Sequence, residues 1–483
     1  MNAIKKTLGG LFCLLLALTS MAADISVRDG ESIQGAVNKA VSGDVVLIHP
    51  GTYRESIYVD KDNITLRGVV VEGKWPLLEG DGTLNDAILY SGNGITIEWL
   101  KIMHYKGNAI MGQSGNNYVI RNNWIIDTGV YGIFPQFGKN GLIEYNVLSG
   151  IEDAAIYVGM CDNIDVRHNE VFDSVAGIEI ENSRHALVEN NYAHDNTAGI
   201  LVFITPGLPI KTTYDVIIRD NFVVNNNTPN FGAPGSIVSN VPVGVGVVIM
   251  AADDVKVEGN IITGNKTAGI VITDLAFITS VASDKESEPN PDNIQILDNL
   301  MFDNGADPVA QVKAAMLTQF KTTGPDILAN VGSAQEPDNC ILSKDKYTSF
   351  GLSKWSKCTL KTTAGTRSYL LEGEAAPRAI ETGGDRVARL YKGICAGCHA
   401  YNIRMIGPSA MAIQAQYFDD PQGVADYIAA PVKKRPDFPA MPAQAHLSAE
   451  LRLQVAEYML CLSPENQSAV AGMQGRVAKC QKP

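Results

Sequence analysis

An asparagine recurs through the middle of the chain at Asn123, Asn146, Asn169 and Asn191, and again at Asn221, Asn260 and Asn299. The first intervals are 23, 23 and 22 residues, and the later ones are lengthened by insertions. Three residues before each asparagine stands an aliphatic: Ile120, Ile143, Val166, Val188, Ile218, Val257, Ile296. A second column reads Gly132-Ile133, Ala155-Ile156, Gly177-Ile178, Gly199-Ile200 and Gly269-Ile270. A period near 22 residues with short β-rich runs specifies a solenoid, and it is too short for helix-pair repeats. The leucine spacing of a leucine-rich repeat is absent. One turn cannot bury its apolar face alone, so successive turns must stack. The asparagines are expected to form an internal hydrogen-bonded ladder at one bend.

A third column tests this register. Two residues before each asparagine, or its equivalent, the chain reads Arg67, Glu98, Arg121, Glu144, Arg167, Glu189, Arg219, Glu258. The sign alternates at every turn. Parallel strands stack about 4.8 Å apart, so each charge is predicted to face opposite charges above and below. Such a ladder is structural, and it takes Arg121, Arg167 and Arg219 out of consideration as catalytic bases.

Upstream, Ser32 to Ala40 has apolar residues at helical spacing, followed by a Gly43-Asp44 turn and the strand Val45-Val46-Leu47-Ile48. Pro50-Gly51-Thr52-Tyr53-Arg54-Glu55 and Asn63-Ile64-Thr65-Leu66-Arg67-Gly68 come next. This order resembles the N-terminal end of pectin-lyase-like right-handed parallel β-helix proteins, with the helix capping the open coil. The resemblance implies an all-β solenoid over residues 23–332. It also implies that any chemistry would use carboxylates gathered on adjacent turns, with calcium or an arginine base for a lyase. No stacked run of aspartates and no Asp-Pro-His motif is found. What remains is a patch after the Gly-Ile column. Its outward positions read Phe134, Tyr157, Glu179, Leu201 and, beside them, Gln136, Gly159, Glu181, Phe203. Three readings stay open. The patch is a docking face for loops or for the C-terminal domain, a sugar-binding face, or a site where Glu179 and Glu181 act as acid and base. Insertions at 204–209, 227–242 and 280–292 lengthen neighbouring turns, and loops on a rigid scaffold commonly carry function. His104, His168, His185 and His194 are scattered through the coil, with no metal-ligand spacing to support a copper site.

The C-terminal part carries Cys395-Ala396-Gly397-Cys398-His399, the spacing of a c-type haem attachment site. Two thiols on one helical turn add to the haem vinyl groups, and the histidine supplies an iron ligand. A local disulfide or a zinc site is the plainer alternative, but zinc needs two further ligands and none lies nearby. The helix 385–391, Gly407-Pro408, the segment Pro439-Ala440-Met441-Pro442-Ala443 and a last helix from Ser448 resemble a class I cytochrome c over residues 383–463. The resemblance implies one covalent haem c with His399 and Met441 as axial ligands. Met405, Met411, Met459 and His446 are the rivals for the sixth position. The arrangement is similar to a group of exported bacterial parallel β-helix proteins that occur with, or fused to, c-type cytochromes.

The remaining features set the context. Residues 1–22 read as a secretory signal, with Lys5 and Lys6 before an apolar core from Leu11 to Leu18 that is too short to span a bilayer. No later stretch is apolar for long enough to be a transmembrane anchor, and a periplasmic location is expected. A net charge of −13 argues against a nucleic-acid partner. Sequence proximity pairs Cys340 with Cys358 and Cys461 with Cys480, and leaves Cys161 alone. Residues 333–382 are expected to be a disulfide-closed appendage and linker, and 464–483 a tail. The expected fold is thus multi-domain: a right-handed parallel β-helix followed by a small all-α cytochrome c domain. The leading functional expectation is a periplasmic monohaem electron carrier with a redox partner, whose β-helix binds a glycan or a protein. The alternatives are a polysaccharide lyase or epimerase with an attached electron-transfer module, and a docking scaffold that positions the haem.

Overall fold

A computed structural model describes residues 22–463, except 235, 278–283, 319, 331–337, 360, 374, 376–385, 397, 403, 405, 437, 439, 442 and 446. The chain winds into a right-handed parallel β-helix. Its described strands form three sheets of 13, 11 and 10 strands, and each full turn adds one parallel strand to every sheet. The aliphatic column pairs in the predicted register, Ile120 with Ile143, Ile143 with Val166 and Val166 with Val188. It is fully buried, as is the column Ile133, Ile156, Ile178 and Ile200. Each such side chain contributes roughly 1.5–3 kcal/mol by leaving water, and the stacked columns make one continuous core.

The asparagine ladder is present and buried. Asn146 Nδ2 donates to Asn169 Oδ1 at 3.0 Å and to the Ile120 carbonyl at 3.0 Å, and the pattern runs on to Asn299. A second ladder, Asn196 to Asn226 to Asn265 to Asn304, lines the next bend and was not expected from the sequence. The alternating charges pair in register. Glu98 lies 2.5 Å from Arg67 and 2.7 Å from Arg121, Glu144 lies 3.0 Å from Arg167, and Glu189 lies 2.6 Å from Arg219. The carboxylate partners are buried rather than exposed, because the longer arginines lie over them.

The cap is a helix, Ile33–Lys39, started by the Ser32 side chain, which accepts from Gly35 N. Glu55 accepts from Ile33 N at 2.6 Å and from Ser32 Oγ at 2.8 Å, placing a carboxylate where the helix dipole favours it. Ile33, Ala36 and Val37 plug the coil.

The coil passes the end expected near residue 332. Strands Ile327–Asn330, Cys340–Ile341, Ser349–Phe350 and Ser356–Lys357 extend two of the sheets. Cys340 and Cys358 are disulfide-bonded, and the segment they close belongs to the coil. Cys461 is also disulfide-bonded, Cys480 lies outside the described residues, and Cys161 is buried and in no disulfide, its thiol donating to the Gly159 carbonyl.

The segment expected to be a linker is instead a strap laid along the 13-stranded sheet, running back toward the cap. Thr363 N donates to Glu258 at 2.6 Å, and Arg219 donates to the Thr366 carbonyl at 2.7 Å. Ser368 Oγ reaches Asp165 at 2.6 Å and Tyr369 Oη reaches Asp215 at 2.6 Å. Leu371 N donates to Asn140 at 2.7 Å and Ala375 N to Asn117 at 2.8 Å. The strap returns the chain to the early turns, where Leu447, Ser448 and Leu451 lie beside Tyr58, and the helices Ala410–Gln416 and Pro421–Ala429 pack on the last helix, Ala449–Leu460. Ser448 caps the last helix, and Leu451, Val455 and Met459 are its buried face, as expected. Among the described residues no helix is long and apolar enough to cross a membrane. The signal at 1–22 falls on undescribed residues except for Ala22.

Candidate active site on the 11-stranded sheet

The two patch columns stand in register as predicted: Tyr157, Glu179 and Leu201 in one, Gly159, Glu181 and Phe203 in the other. Their side chains leave the coil, but they do not meet solvent. Phe134 and Phe203 are 7% exposed, Tyr157 6%, Glu181 5% and Glu179 4%. Ile204, Val241 and Leu275 from the lengthened turns, and Ile394 from the C-terminal segment, cover them. The helical turn Tyr391–Cys395 packs against the strand Ile110–Gln113 of the same sheet. The patch is therefore covered by the lengthened turns and the C-terminal segment, and the carboxyl groups lie beneath that cover.

Two further groups join them. Tyr131 places its ring 4.5 Å from both Phe134 and Tyr157, which are themselves 4.6 Å apart edge to face. Asp153, half-buried, enters from the turn before Ala154–Gly159. Burial, with Glu181 nearby, pushes the Asp153 carboxyl up to about 8. Burial pushes Glu181 up to about 7, against the Thr205 hydroxyl that donates to it. Burial and the Asp153 charge hold Glu179 well above the ordinary carboxylate range. Burial, reinforced by these three acids, keeps the Tyr131 hydroxyl protonated. Gln113, in the column of Gln136 and Glu181, is fully buried, and neither amide atom has a hydrogen-bond partner among the described residues. A buried amide without partners is costly, and here it faces the side where the C-terminal segment docks.

That segment brings its own groups. Cys395 and Cys398 are free thiols, not a disulfide. Burial, with Cys398 beside it, pushes Cys395 up to about 12, and burial with Asp153 pushes Cys398 up to about 11. His399 is buried, and its Nδ1 bonds the Pro408 carbonyl at 2.7 Å. That bond fixes the ring and leaves Nε2 as the nitrogen a metal could use. Gly407 leaves space for the imidazole, since a Cβ there would lie 2.4 Å from His399 Cε1. Two free thiols and an oriented imidazole are groups that fit a covalent haem. Met441 is half-buried against the cluster of Val424, Ile428 and Leu460. Its neighbours Pro439 and Pro442, and the rivals Met405 and His446, lie outside the described residues, while Met411 is 46% exposed and Met459 is in the core.

The coil histidines do not converge. His104 pairs with Glu79 at 2.8 Å, His185 with Asp215 at 2.8 Å and His194 with Asp195 at 2.7 Å, each on a different turn. His168 stacks on Tyr145. A separate cavity of about 610 Å³ lies between the early turns and residues 443–451, lined by Tyr58, Asn85, Lys106 and Leu447 among others. It holds none of the acids or the haem-attachment residues.

Sequence reading missed Asp153, Tyr131 and Gln113 as partners of the acids. A signal existed for Tyr131: the position reads Ala154, Ala176, Ala198, Val245 and Ala268 in later turns, and a tyrosine is the one large residue there.

Residues 55–205 match the family model of the right-handed β-helix region. Among solved structures, the chain is similar to the A-module of Azotobacter vinelandii mannuronan C-5 epimerase AlgE4, at 14% identity and a TM-score of 0.49, covering 64% of this chain and 81% of that one. It is also similar to an alginate lyase from Paenibacillus sp. str. FPU-7, at 15% identity and a TM-score of 0.41, covering 64% and 99%. A third likeness is to a Yersinia enterocolitica family 28 exopolygalacturonase, at 11% identity and a TM-score of 0.45, covering 66% and 72%. No curated protein matches in sequence. At these identities the likeness is one of fold. The expectation of a chain that is first of all a haem electron carrier is corrected: the family match lies on the coil, which also holds the clustered acids.

Proposed function

We propose that the chain is a carbohydrate-active enzyme, a lyase or epimerase of a uronate-containing polysaccharide, with an attached haem module. The observation that carries this reading is the cluster of Asp153, Glu179 and Glu181 with the Tyr131 hydroxyl on one sheet face, the acids held partly or wholly protonated near neutral pH. Both reactions begin by removing the proton next to a sugar carboxylate. That carbon is a weak acid until the carboxylate charge is neutralised. Protonated Glu179 would donate a hydrogen bond to the sugar carboxylate, Glu181 would take the proton, and the Tyr131 hydroxyl would donate to the departing glycosidic oxygen or return a proton from the opposite face. Elimination then leaves an unsaturated sugar, and reprotonation leaves the epimer. Phe134 and Tyr157 would pack against the sugar ring. Since Ile394 and the lengthened turns cover the cluster, the reading requires substrate to enter beneath this cover.

Cys395, Cys398 and His399 would hold the haem, with Met441 as a further ligand implied by the resemblance to class I cytochromes c. Bound there, haem supplies one-electron chemistry. Export to the periplasm is part of the proposal, since haem attachment of this kind occurs outside the cytoplasm.

The test is incubation of the mature protein with alginate and polygalacturonate, following unsaturated products by ultraviolet absorbance and epimers by proton NMR. Product that disappears in Glu181→Gln supports the reading. No product from either polymer, or unchanged product with Glu181→Gln and Glu179→Gln, sinks it.

A further inference from the structure

Away from the acids, the 10-stranded sheet holds large aromatic rings in the open. Trp99 is 41% exposed, Trp124 37%, Tyr145 52%, Tyr192 40% and Phe222 50%. Three of the chain's four tryptophans gather at its early turns, Trp75 lying 6.0 Å from Trp99 and 6.3 Å from Trp124 between ring centroids. Strand register pairs Leu77 with Lys101, Lys101 with Trp124, Trp124 with Val147 and Val147 with Glu170. Two residues earlier, the same register aligns Trp75, Trp99, Asn122, Tyr145 and His168 at one bend.

The backbone at this bend separates what the fold needs from what it carries. The bend is left-handed, with φ 60° at Trp99, 55° at Asn122, 55° at Tyr145, 54° at Asn190, 55° at Asp220 and 69° at Gly259. Asparagine, aspartate and glycine accept this conformation readily, whereas bulky residues are strained in it. Most turns use the accepting residues. Trp99, Tyr145 and His168 do not, and the Trp99 and Tyr145 rings are too exposed for packing alone to explain them. Strain of this kind persists where a residue has another use.

Beside the rings, the Lys101 ammonium sits 3.9 Å from the Trp124 ring centroid, and no carboxylate pairs with it among the described residues. Aromatic faces match the C–H faces of sugar rings, and an unpaired ammonium matches a carboxylate. The rings follow the coil axis from the turn of Trp75 to that of Phe222, six turns and roughly 29 Å at the spacing of stacked strands. That shape fits a linear repeating ligand.

We propose that this face is a binding platform for an acidic polysaccharide, with Trp99, Trp124 and Tyr145 stacking on sugar rings and Lys101 pairing with a uronate carboxylate. It lies on a different sheet from the acids, so it holds the polymer without touching the reacting bond. The proposal rests on the proposed activity only for the choice of a uronate polymer.

The test is affinity electrophoresis of the full chain in gels containing alginate, polygalacturonate or neutral dextran. The wild type is expected to be retarded by the uronate polymers and not by dextran. Trp99→Asn combined with Trp124→Ala should weaken binding about tenfold or more, while Trp99→Asn alone leaves the melting temperature unchanged or raises it. Lys101→Ala should weaken binding at low salt and less so at high salt. Wild-type retardation by dextran equal to that by alginate, or unchanged retardation of the double variant, overturns the platform, as does the absence of any retardation. Binding without product from any uronate polymer keeps the platform and removes the proposed activity.

Discussion

The three acids under the C-terminal segment are placed so that folding itself keeps them protonated. A carboxyl in the unfolded chain titrates near 4, while Glu181 is pushed up to about 7 and Asp153 to about 8 by burial. The folded state therefore binds more protons than the unfolded state between about pH 4 and 8. Stability contributed by these groups is full at the acid end of this window and is lost as pH rises through it. The expected outcome is a melting temperature that falls from pH 5 to pH 8, and a flatter profile in Glu181→Gln, with a gain of roughly 1–3 kcal/mol at pH 8. The same substitution should reduce product formation by about 10²–10⁴-fold, measured on alginate and polygalacturonate. A profile no flatter than the wild type would mean that Glu181 is solvated. Glu179 and Glu181 were legible because strand residues two apart must share a face. Asp153 was not, because it sits in a turn, where side-chain direction follows local backbone angles rather than the strand period, and Tyr131 showed only as a large residue in a column of small ones. Gln113 was hidden for another reason: its lack of partners exists only once the chain has folded.

At the level of elements, the ladders carry the coil's precision. Asn169 accepts from Asn146 N, and its Nδ2 donates to the Ile143 carbonyl and to Asn191 Oδ1. Asn169→Ala strands several buried polar groups at once and is expected to cost about 2–4 kcal/mol, read by chemical denaturation. Glu144→Arg places three like charges in a row with Arg121 and Arg167, and should cost on the order of 1 kcal/mol, more at low salt than at high. An unchanged denaturation curve at low salt would show that this column does not couple across turns. The first ladder, the aliphatic columns and the charge alternation could all be read directly, since stacking at a fixed period makes one turn predict the next. The second ladder was obscured at its start, where the position is taken by Ser174, whose amide donates to Asn196. The strands after Cys340 were obscured because they are two residues long, too short for any periodicity to register.

For the whole molecule, the haem proposal makes a separable prediction. Mature protein from a host with cytochrome c maturation machinery should carry one covalent haem, and the Cys395→Ala/Cys398→Ala variant should carry none, by haem staining of a denaturing gel. Equal staining in both would remove the haem from the account. The motif was plain in sequence, but its position against the coil was not, because that depends on the strap at 361–375, whose polar composition reads as linker. A plain stack of repeats is quasi-one-dimensional: each turn is stabilised by its two neighbours, and its ends fray independently. The strap changes this. It is made after the coil, yet its contacts span turns from Asn117 to Glu258, so it has no complete binding surface until all of those turns are wound. Opening any one of them also loosens contacts the strap makes elsewhere. The chain is thereby closed into a loop of mutual dependence, and the turns beneath the strap should unfold together, as one cooperative unit, rather than peel away from an end.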